Sequence, residues 1–510
     1  MKGSNILRTF PEGKIFFVTS TLPYKFGGRT KSLLRRAKLL TEGTENKLIL
    51  ATTNYNENYD QVYASYRKKN LVNENIQFIN MYDDLKGTNS SSTKIKKHRI
   101  EERRYIHVKE DNREGYRYFD KKTGQYVMFK SFETKNNQLK FIDYFKQGIP
   151  HRSMREHYDS KGLLHKKTFY HDTILEPYEE VFYNNKGQFY LNKLYTLNGN
   201  KSKLKQIFYY DRNMNRTHMF KTEKELFTFW FNQVCDDKTY MVVDARLLDR
   251  PVLNIKNINV KKIFQLHNNH LSTPNDIHSN IKNSYKTLIN RSKEADAIIC
   301  LTNEQANDIE RLTGNKENIK VIPHSINPKK ISIDRDIKKI VVVSRLHPQK
   351  RLNHIIQAFS IFIKKHPDYT LEIYGMGEEE DKLKQLISDL NLSDTCILKG
   401  FTDKPDYVFQ SGGFSVVSSE FEGFCLSILE SLSNGCPVVS YDVKYGPKDL
   451  IKDGINGYLA QDGDIEDLSM KMEMMAHSDL MKISNECISS VKSYNDETFI
   501  NKWIKLLNEV

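Results

Sequence analysis

Short apolar runs alternate with amphipathic segments in two separate parts of the chain. In the first part the runs cover residues 14–19, 47–52, 240–244, 262–266, 295–301 and 319–324. In the second part they cover residues 340–344, 370–374, 396–400 and 414–417. Strands that alternate with helices form parallel, doubly wound sheets, so the pattern predicts two Rossmann-like α/β domains.

Between residues 115 and 211 the pattern changes to alternating aromatic and polar positions, interrupted by turn signals such as Asn198-Gly199. This predicts a meander of antiparallel hairpins, whose exposed edges would favour self-association. We therefore predict a first α/β domain from residues 1–75 and 223–335, with a β-rich insertion at 76–222. A second α/β domain follows at 336–490, and a helix at 491–510 packs back at the domain junction.

The chain around Glu422 combines a strand, a tight loop and a helix. The loop is Glu422-Gly423-Phe424, and the leucines at 426, 429 and 432 share one face of the helix that follows. Unpaired N–H groups at the start of that helix favour an anion at this corner. One carboxylate, Glu422, lies in the loop, and a second, Glu430, lies on the helix.

Ligands of doubly wound sheets bind outside the carboxyl ends of the strands, where glycines and polar residues gather in this chain. The candidates there are Gly27, Gly28, His267, Arg345, Lys350, Gly375, Gly400 and the two glutamates. Arg345 and Lys350 are cations on one exit loop and suit a pyrophosphate leaving group. Glu430 could accept hydrogen bonds from ribose hydroxyls, and Glu422 could hold a sugar. Each residue alone also has a structural explanation, such as a surface cation or a satisfied histidine.

Composition narrows the class of protein further. Lysine and arginine number 78 against 64 acidic residues, a net charge of +14, so the basic surface either has an anionic partner or is solvated. No apolar run reaches the roughly 18 residues of a membrane span. The six cysteines form no Cys-x-x-Cys pair, and no nucleic-acid recognition motif is present. Residues 1–10 lack a signal-peptide pattern, so we expect a cytoplasmic protein.

An ordered set of motifs resembles the retaining GT-B glycosyltransferases of family four. The motifs are Ser-Arg-Leu-His-Pro-Gln-Lys at 344–350, Tyr-Gly-Met-Gly at 374–377, Leu-Lys-Gly-Phe at 398–401, and the glutamates at 422 and 430. More narrowly, residues 22–34, the hairpin insertion, residues 433–442 and residues 445–447 are similar to wall teichoic acid α-glycosyltransferases. The resemblance covers the first and last α/β regions.

The resemblance implies a role for each matched residue. Catalytic roles would fall to Glu422, His267, Arg345 and Lys350. Donor-binding roles would fall to Gly27, Gly28, Arg345, Lys350, Gly375, Leu398, Lys399, Gly400, Phe424, Cys425, Leu426 and Glu430. Cys425 departs from the family, where glycine or glutamine is usual. The family needs no metal, and the chain has no Asp-x-Asp motif at a suitable strand end, so neither a metal nor a cofactor is expected.

The activity that the resemblance implies is retaining transfer of glucose from UDP-glucose to the hydroxyls of poly(glycerol-phosphate) wall teichoic acid. Front-face attack and double displacement through Glu422 are both open as routes. The alternatives are UDP-N-acetylglucosamine-dependent transfer to poly(ribitol-phosphate), O-glycosylation of a serine-rich surface protein, and a non-catalytic glycan-binding partner. The expected partners are UDP-glucose, an anionic polyol-phosphate polymer, and further copies of the chain in a trimer formed through the insertion. Peripheral association with the inner face of the cell membrane is also expected, and nucleic acid is not.

Overall fold

The computed structural model of the protein describes residues 9–87, 95–133, 137–212, 214–331 and 333–510. Most of residues 1–10, on which the expectation about a signal peptide rests, lie outside the described residues. The chain opens with strands and helices in alternation. They are β1 (Lys14–Thr19), α1 (Gly28–Thr41), β2 (Leu48–Thr52), α2 (Tyr59–Lys68), β3 (Ile76–Asn80) and α3 (Met81–Leu85). Alternate residues of β1 pack into hydrophobic cores on opposite faces of the sheet. Phe16 and Val18 lie on one face, and Ile15 and Phe17 lie on the other. A strand buried on both faces explains its continuous apolar run.

A run of antiparallel strands follows α3. The strands are β4 (Tyr105–Lys109), β5 (Gly115–Asp120), β6 (Tyr126–Phe132), β7 (Leu139–Phe145), β8 (Arg152–Tyr158), β9 (Leu164–Tyr170), β10 (Pro177–Tyr183), β11 (Phe189–Asn198), β12 (Lys201–Asp211) and β13 (Arg216–Phe220). Each strand pairs with its neighbours in the chain, so the sheet runs in sequence order from β13 to β4. This is the meander expected from the aromatic alternation.

The chain then returns to the first parallel sheet. The elements are α4 (Glu223–Val234), β14 (Thr239–Val243), α5 (Asp249–Leu253), β15 (Lys261–Gln265), α6 (Asn283–Asn290), β16 (Ala297–Cys300), α7 (Asn303–Thr313) and β17 (Ile319–Val321). The parallel strand order is β17-β16-β15-β14-β1-β2-β3. Because β3 pairs with β2 here, the boundary predicted at residue 76 falls before a strand of the parallel sheet. Among the described residues, the antiparallel strands begin at Tyr105.

A second parallel sheet forms from the rest of the chain. Its elements are β18 (Asp336–Val343), α8 (Leu352–Phe362), β19 (Thr370–Tyr374), α9 (Glu380–Asp389), β20 (Cys396–Gly400), α10 (Pro405–Ser411), β21 (Gly412–Val417), α11 (Leu426–Ser433), β22 (Val438–Tyr441), α12 (Pro447–Leu450), β23 (Gly457–Ala460), α13 (Ile465–Ala476) and α14 (Leu480–Ser490). The strand order is β20-β19-β18-β21-β22-β23. We call the first parallel sheet with its helices the amino-terminal unit, and this second one the carboxyl-terminal unit.

The last helix, α15 (Asp496–Glu509), leaves the carboxyl-terminal unit and packs on the amino-terminal one. Its Trp503 is fully buried, and its ring centroid lies 6.2 Å from that of Phe17 in β1. Asp496 accepts a hydrogen bond of 2.6 Å from Arg35 of α1. The helix therefore ties the two units together. Within the described ranges, no helix is both long and apolar enough to cross a membrane.

Candidate active site

A cleft of about 950 Å³ is lined by loops at the carboxyl ends of strands from both units. The amino-terminal unit contributes the loops after β1, β14 and β15, and the carboxyl-terminal unit those after β18 and β21. Of the predicted site residues, the lining includes Gly27, Gly28, His267, Arg345, Lys350, Glu422, Phe424, Cys425 and Leu426. The cleft therefore brings together predicted residues as distant in the sequence as Gly27 and Leu426.

Two helix starts meet in this cleft. Helix α1 begins at Gly28 and α11 at Leu426, and among the described residues no side chain caps either start. A Cβ placed on Gly28 would lie 3.8 Å from the Leu426 side chain, which shows how closely the two starts approach. The backbone N–H groups of two helix starts, each the positive end of a helix dipole, therefore lie next to one space, and this arrangement favours an anionic ligand.

Cys425 occupies an unusual backbone position just before α11. Its φ of 65° and ψ of 69° are left-handed, a conformation that costs a residue other than glycine roughly 1 kcal/mol or more. Glycine would adopt this backbone conformation without that cost. The cysteine nevertheless keeps the helix start open to the cleft, and burial raises the pKa of its thiol to about 12.

The carboxyl-terminal wall carries the two predicted cations, and further cations line the cleft from the amino-terminal unit at Lys25, Arg29, Arg246 and Lys282. Arg345 is exposed in the loop after β18. Lys350, at the end of the same loop, donates a hydrogen bond to Glu422 Oε1, and both side chains are largely buried. Burial disfavours the charged form of Lys350, but interactions led by the Glu422 carboxylate favour it more strongly. The net result is a raised Lys350 pKa. Lys350 is therefore a fixed cation that a phosphate group could share with Glu422.

The amino-terminal wall holds a buried chain of polar contacts behind His267. His267 Nε2 lies 2.5 Å from Asp244 Oδ1, and Arg36 Nη2 lies 2.5 Å from Asp244 Oδ2. Asp244 is completely buried, and the Arg36 guanidinium also lies over the rings of Phe17 and Trp503, 4.2 and 4.7 Å from their centroids. The packed aromatic rings fix Arg36, Arg36 fixes Asp244, and Asp244 fixes the orientation of His267.

These contacts also set the protonation states of Asp244 and His267. Burial opposes ionisation of Asp244, but the Arg36 charge and the bond from His267 lower its pKa to about 2. Burial lowers the pKa of His267 and outweighs the opposite effect of Asp244. A neutral His267 must donate from Nε2 to the carboxylate, which leaves Nδ1 as the acceptor nitrogen. Burial also lowers the pKa of the neighbouring His324 to about 3.

The remaining predicted residues lie outside the lining of the cleft. Glu430 Oε1 accepts a bond of 2.6 Å from Lys31 Nζ, which reaches it from α1 of the opposite unit. Gly375 donates its N–H to the Gly400 carbonyl at 2.8 Å. Leu398, Lys399 and Gly400 end the edge strand β20. A Cβ on Gly375 would clash with the carbonyl of Ser344, a lining residue, so this group borders the cleft.

Several residues that shape the site were not predicted. Asp244 ends a predicted strand, and strand ends are where ligand-facing groups gather. Arg36 has no comparable signal in the sequence. A Cβ on Gly423 would stand 2.1 Å from the His267 carbonyl oxygen, so only glycine allows the two walls to meet there. Lys31 carries no local sequence signal of a role at the site. Its contact with Glu430 depends on how the two units face each other.

Comparisons with known proteins agree with this geometry. Residues 324–493 match the family described as glycosyl transferases group 1, and residues 16–211 match glycosyl transferase 1 domain A. The chain is 30% identical to a poly(glycerol-phosphate) alpha-glucosyltransferase of Bacillus subtilis, over 99% of this chain and 76% of the relative. It is 27% identical to a poly(ribitol-phosphate) alpha-N-acetylglucosaminyltransferase of Staphylococcus aureus, over 97% and 99%.

Solved structures show the same fold. The crystal structure of TarM superposes with a TM-score of 0.85 at 24% identity, covering 98% of this chain and 99% of that one. The pneumococcal O-GlcNAc transferase GtfA superposes with a TM-score of 0.76 at 18% identity, covering 97% and 98%. The fold is therefore that of the GT-B glycosyltransferases. With the relative from Bacillus subtilis at 30% identity, the chain belongs to the group 1 glycosyltransferase family.

Proposed function

We propose that the protein transfers glucose from UDP-glucose to hydroxyls of poly(glycerol-phosphate), with retention of the α configuration. The observation that carries this proposal is the convergence of two uncapped helix starts with Arg345 and Lys350 in one cleft. A nucleoside diphosphate is the leaving group that such a concentration of donors stabilises. The similarity to the poly(glycerol-phosphate) enzyme supports the choice of acceptor and sugar.

The chemical step needs only groups of the substrates and of the cleft. The bond between glucose C1 and the β-phosphate oxygen breaks, and the acceptor oxygen forms a new bond to C1 on the same face. The acceptor proton passes to the departing phosphate oxygen. Arg345 and Lys350 stabilise the charge that develops on the diphosphate, and His267 accepts a hydrogen bond from the donor sugar.

Glu422 has a positioning role in this proposal. Its carboxylate is already bonded to Lys350, so a phosphate that engages Lys350 also orients Glu422 towards the sugar. Double displacement would instead use Glu422 as the nucleophile. The two routes differ in one observable, because only double displacement forms a glucosyl ester on Glu422. Intact-mass measurement during turnover of a slow donor should show no such adduct, and an adduct that is absent from Glu422→Gln would favour double displacement.

The acceptor and the donor can be tested in one matrix of reactions. UDP-glucose, UDP-N-acetylglucosamine and UDP-galactose are each offered with poly(glycerol-phosphate), poly(ribitol-phosphate) and a serine-rich peptide. We expect UDP-glucose with poly(glycerol-phosphate) to exceed every other pair by about tenfold or more in kcat/KM. A faster reaction of UDP-N-acetylglucosamine with the ribitol polymer or the peptide would replace the proposed function. Binding to a polymer without any transfer would make the chain a glycan-binding partner.

The net charge of +14 gives the proposed acceptor a second test. A basic protein attracts a polyanion over long distances, and salt screens that attraction. We expect kcat/KM for poly(glycerol-phosphate) to fall as salt rises, while kcat/KM for free glycerol stays nearly constant. An equal response of both acceptors would contradict a role of the net charge in capturing the polymer.

Assembly through the antiparallel sheet is the last part of the proposal. The edge strand β4 exposes about half of Ile106 and of Val108, at 53% and 52%. An edge strand with exposed apolar side chains favours association with further copies, and we propose a trimer. Light scattering should give three times the chain mass, and Val108→Lys should lower it to the mass of one chain. A single-chain mass for the unchanged protein would contradict the trimer.

A further inference from the structure

We propose that His366, Glu473 and His477 form a binding site for a divalent transition-metal cation, with Zn²⁺ as the best fit. Glu473 lies in the last turn of α13, His477 follows its end, and His366 lies in the loop between α8 and β19. One ligand atom of each side chain lies within 4.8 Å of the other two. Two imidazoles and a carboxylate are a ligand set that zinc prefers, with water in the fourth position.

The three side chains are held in place to different degrees. His366 stacks on Phe362 with centroids 4.5 Å apart and meets Tyr369 edge-on at 5.7 Å. Its buried Nε2 has no hydrogen-bond partner among the described residues. Such a nitrogen gains most from a metal bond, because nothing else compensates for its lost hydration. His366 is therefore the preformed member of the set.

Glu473 and His477 can adjust to the cation. They lie four residues apart, and His477 caps the end of α13 in helical conformation, so both project from the same face, and His477 is exposed. Tetrahedral zinc at about 2.0–2.1 Å from each ligand needs ligand atoms nearer to each other than 4.8 Å. Rotation of the long Glu473 side chain and of the exposed His477 ring can supply this movement without any change in the backbone.

Lys365 competes with the cation for Glu473. Its Nζ lies 2.9 Å from Glu473 Oε2. Glu473 would therefore bind a metal beside a positive charge that already engages one of its carboxylate oxygens. The structure thus predicts a site whose affinity for a cation is limited by Lys365.

The site lies away from the cleft. His366 precedes β19, at the amino end of the strands, whereas Arg345 and Lys350 follow the carboxyl end of β18. Helices α8 and α13 pack on each other. A cation at this site would join the segment after α8 to the end of α13. It would stabilise the folded carboxyl-terminal unit without contributing to sugar transfer.

The test is metal titration of the full chain by calorimetry with Zn²⁺ and by visible absorption with Co²⁺. We expect one equivalent to bind and to raise Tm, while Mg²⁺ leaves Tm unchanged. His477→Ala and Glu473→Gln, both at adaptable positions, should weaken binding by at least about tenfold, because loss of even an outer-shell partner has that effect. His278→Ala, at an exposed loop histidine, should bind as the unchanged chain does.

Lys365→Gln gives the sharpest arm of the test. Removal of its charge should strengthen Zn²⁺ binding several-fold, an increase that binding elsewhere on the surface would not show. Equal binding by His477→Ala and His278→Ala would overturn the site. An unchanged affinity in Lys365→Gln would overturn the placement of the cation beside Glu473. Transfer activity should stay unchanged in His477→Ala.

Discussion

The surroundings of His267 and of Lys350, on the two walls of the cleft, treat charge in opposite ways. On the amino-terminal wall the charges of Arg36 and Asp244 are buried against each other, and His267 stays neutral in front of them. On the carboxyl-terminal wall Arg345 is exposed, and Lys350 is a cation shared with Glu422. Behind His267 the buried charges therefore fix geometry, whereas Arg345 and Lys350 present charge that a ligand can compete for.

This difference matches the two tasks of sugar transfer. A neutral, rigid His267 suits hydrogen bonds to sugar hydroxyls, which carry no charge. The cations on the opposite wall suit the diphosphate, whose charge grows as the bond to C1 breaks. The comparison teaches that the first wall should respond to substitution mainly through stability, and the second mainly through rate.

The largest effect is expected at Lys350 on the carboxyl-terminal wall. Lys350→Gln should lower kcat/KM for UDP-glucose about a thousandfold, because a preorganised donor to the developing charge is lost. Lys384→Gln, which removes an exposed lysine from α9, is the control and should react at the original rate. Steady-state kinetics with both variants measures this. A loss below about tenfold would mean that Lys350 does not act on the leaving group.

The matching change on the amino-terminal wall is Asp244→Asn. It leaves the buried Arg36 charge uncompensated, so the free energy of unfolding should fall by about 3 kcal/mol or more. Urea unfolding measures this, with Asp403→Asn at an exposed loop position as the control. A loss of less than about 1 kcal/mol would show that the buried pair does not support this wall.

A change of pH should have a smaller effect on the free energy of unfolding. Burial lowers the folded-state pKa of His324 from 6.5 to about 3, so below pH 6.5 the unfolded chain binds a proton that the folded chain does not. Stability should therefore fall as pH drops from 6.5 towards 3, with His324 contributing roughly 1.4 kcal/mol per pH unit.

His324→Gln isolates that contribution, and His278→Gln at an exposed histidine is its control. Urea unfolding at about pH 7 and about pH 5 should show a shallower fall of stability for His324→Gln than for the control. Parallel pH dependence in both variants would contradict the buried, neutral state of His324.

The smallest effect is expected where the two walls are joined by Lys31 and Glu430. Lys31 is 55% exposed and Glu430 19%, so their ion pair should contribute less than about 1 kcal/mol to stability. If Glu430 binds the ribose, Glu430→Gln should raise KM for UDP-glucose up to about tenfold, whereas Lys31→Gln should change it less than about twofold. Equal shifts in both variants would assign the effect to the ion pair itself.

The sequence predicts well those features that depend on neighbouring residues. Short segments rich in apolar residues identify β19 and β20 with their observed bounds, and the position of Arg345, Lys350 and Glu422 at strand ends places them in the cleft. With only five residues, β3 cannot be distinguished by its sequence pattern from the hairpin region that follows. The insertion is therefore predicted to begin at residue 76.

Contacts between distant residues escape such reasoning. Asp244 and Arg36 are 208 positions apart, and nothing local to either residue indicates the other. The partner of Glu430 likewise depends on how the units face each other, as does the approach of Gly423 to His267. The sequence thus indicates which residues gather at the sheet edges, and the packing of the units decides which of them meet.

Retaining glucosyl transfer in the cleft is the central claim, and proton NMR of the reaction tests it most directly. UDP-glucose and poly(glycerol-phosphate) are mixed with the protein, and the anomeric signals of donor and product are followed together. We predict that the donor signal declines while an α-glucosyl signal appears on the polymer, and that Lys350→Gln nearly abolishes both changes. A β-glucosyl signal, release of free glucose alone, or an unchanged donor would contradict the account.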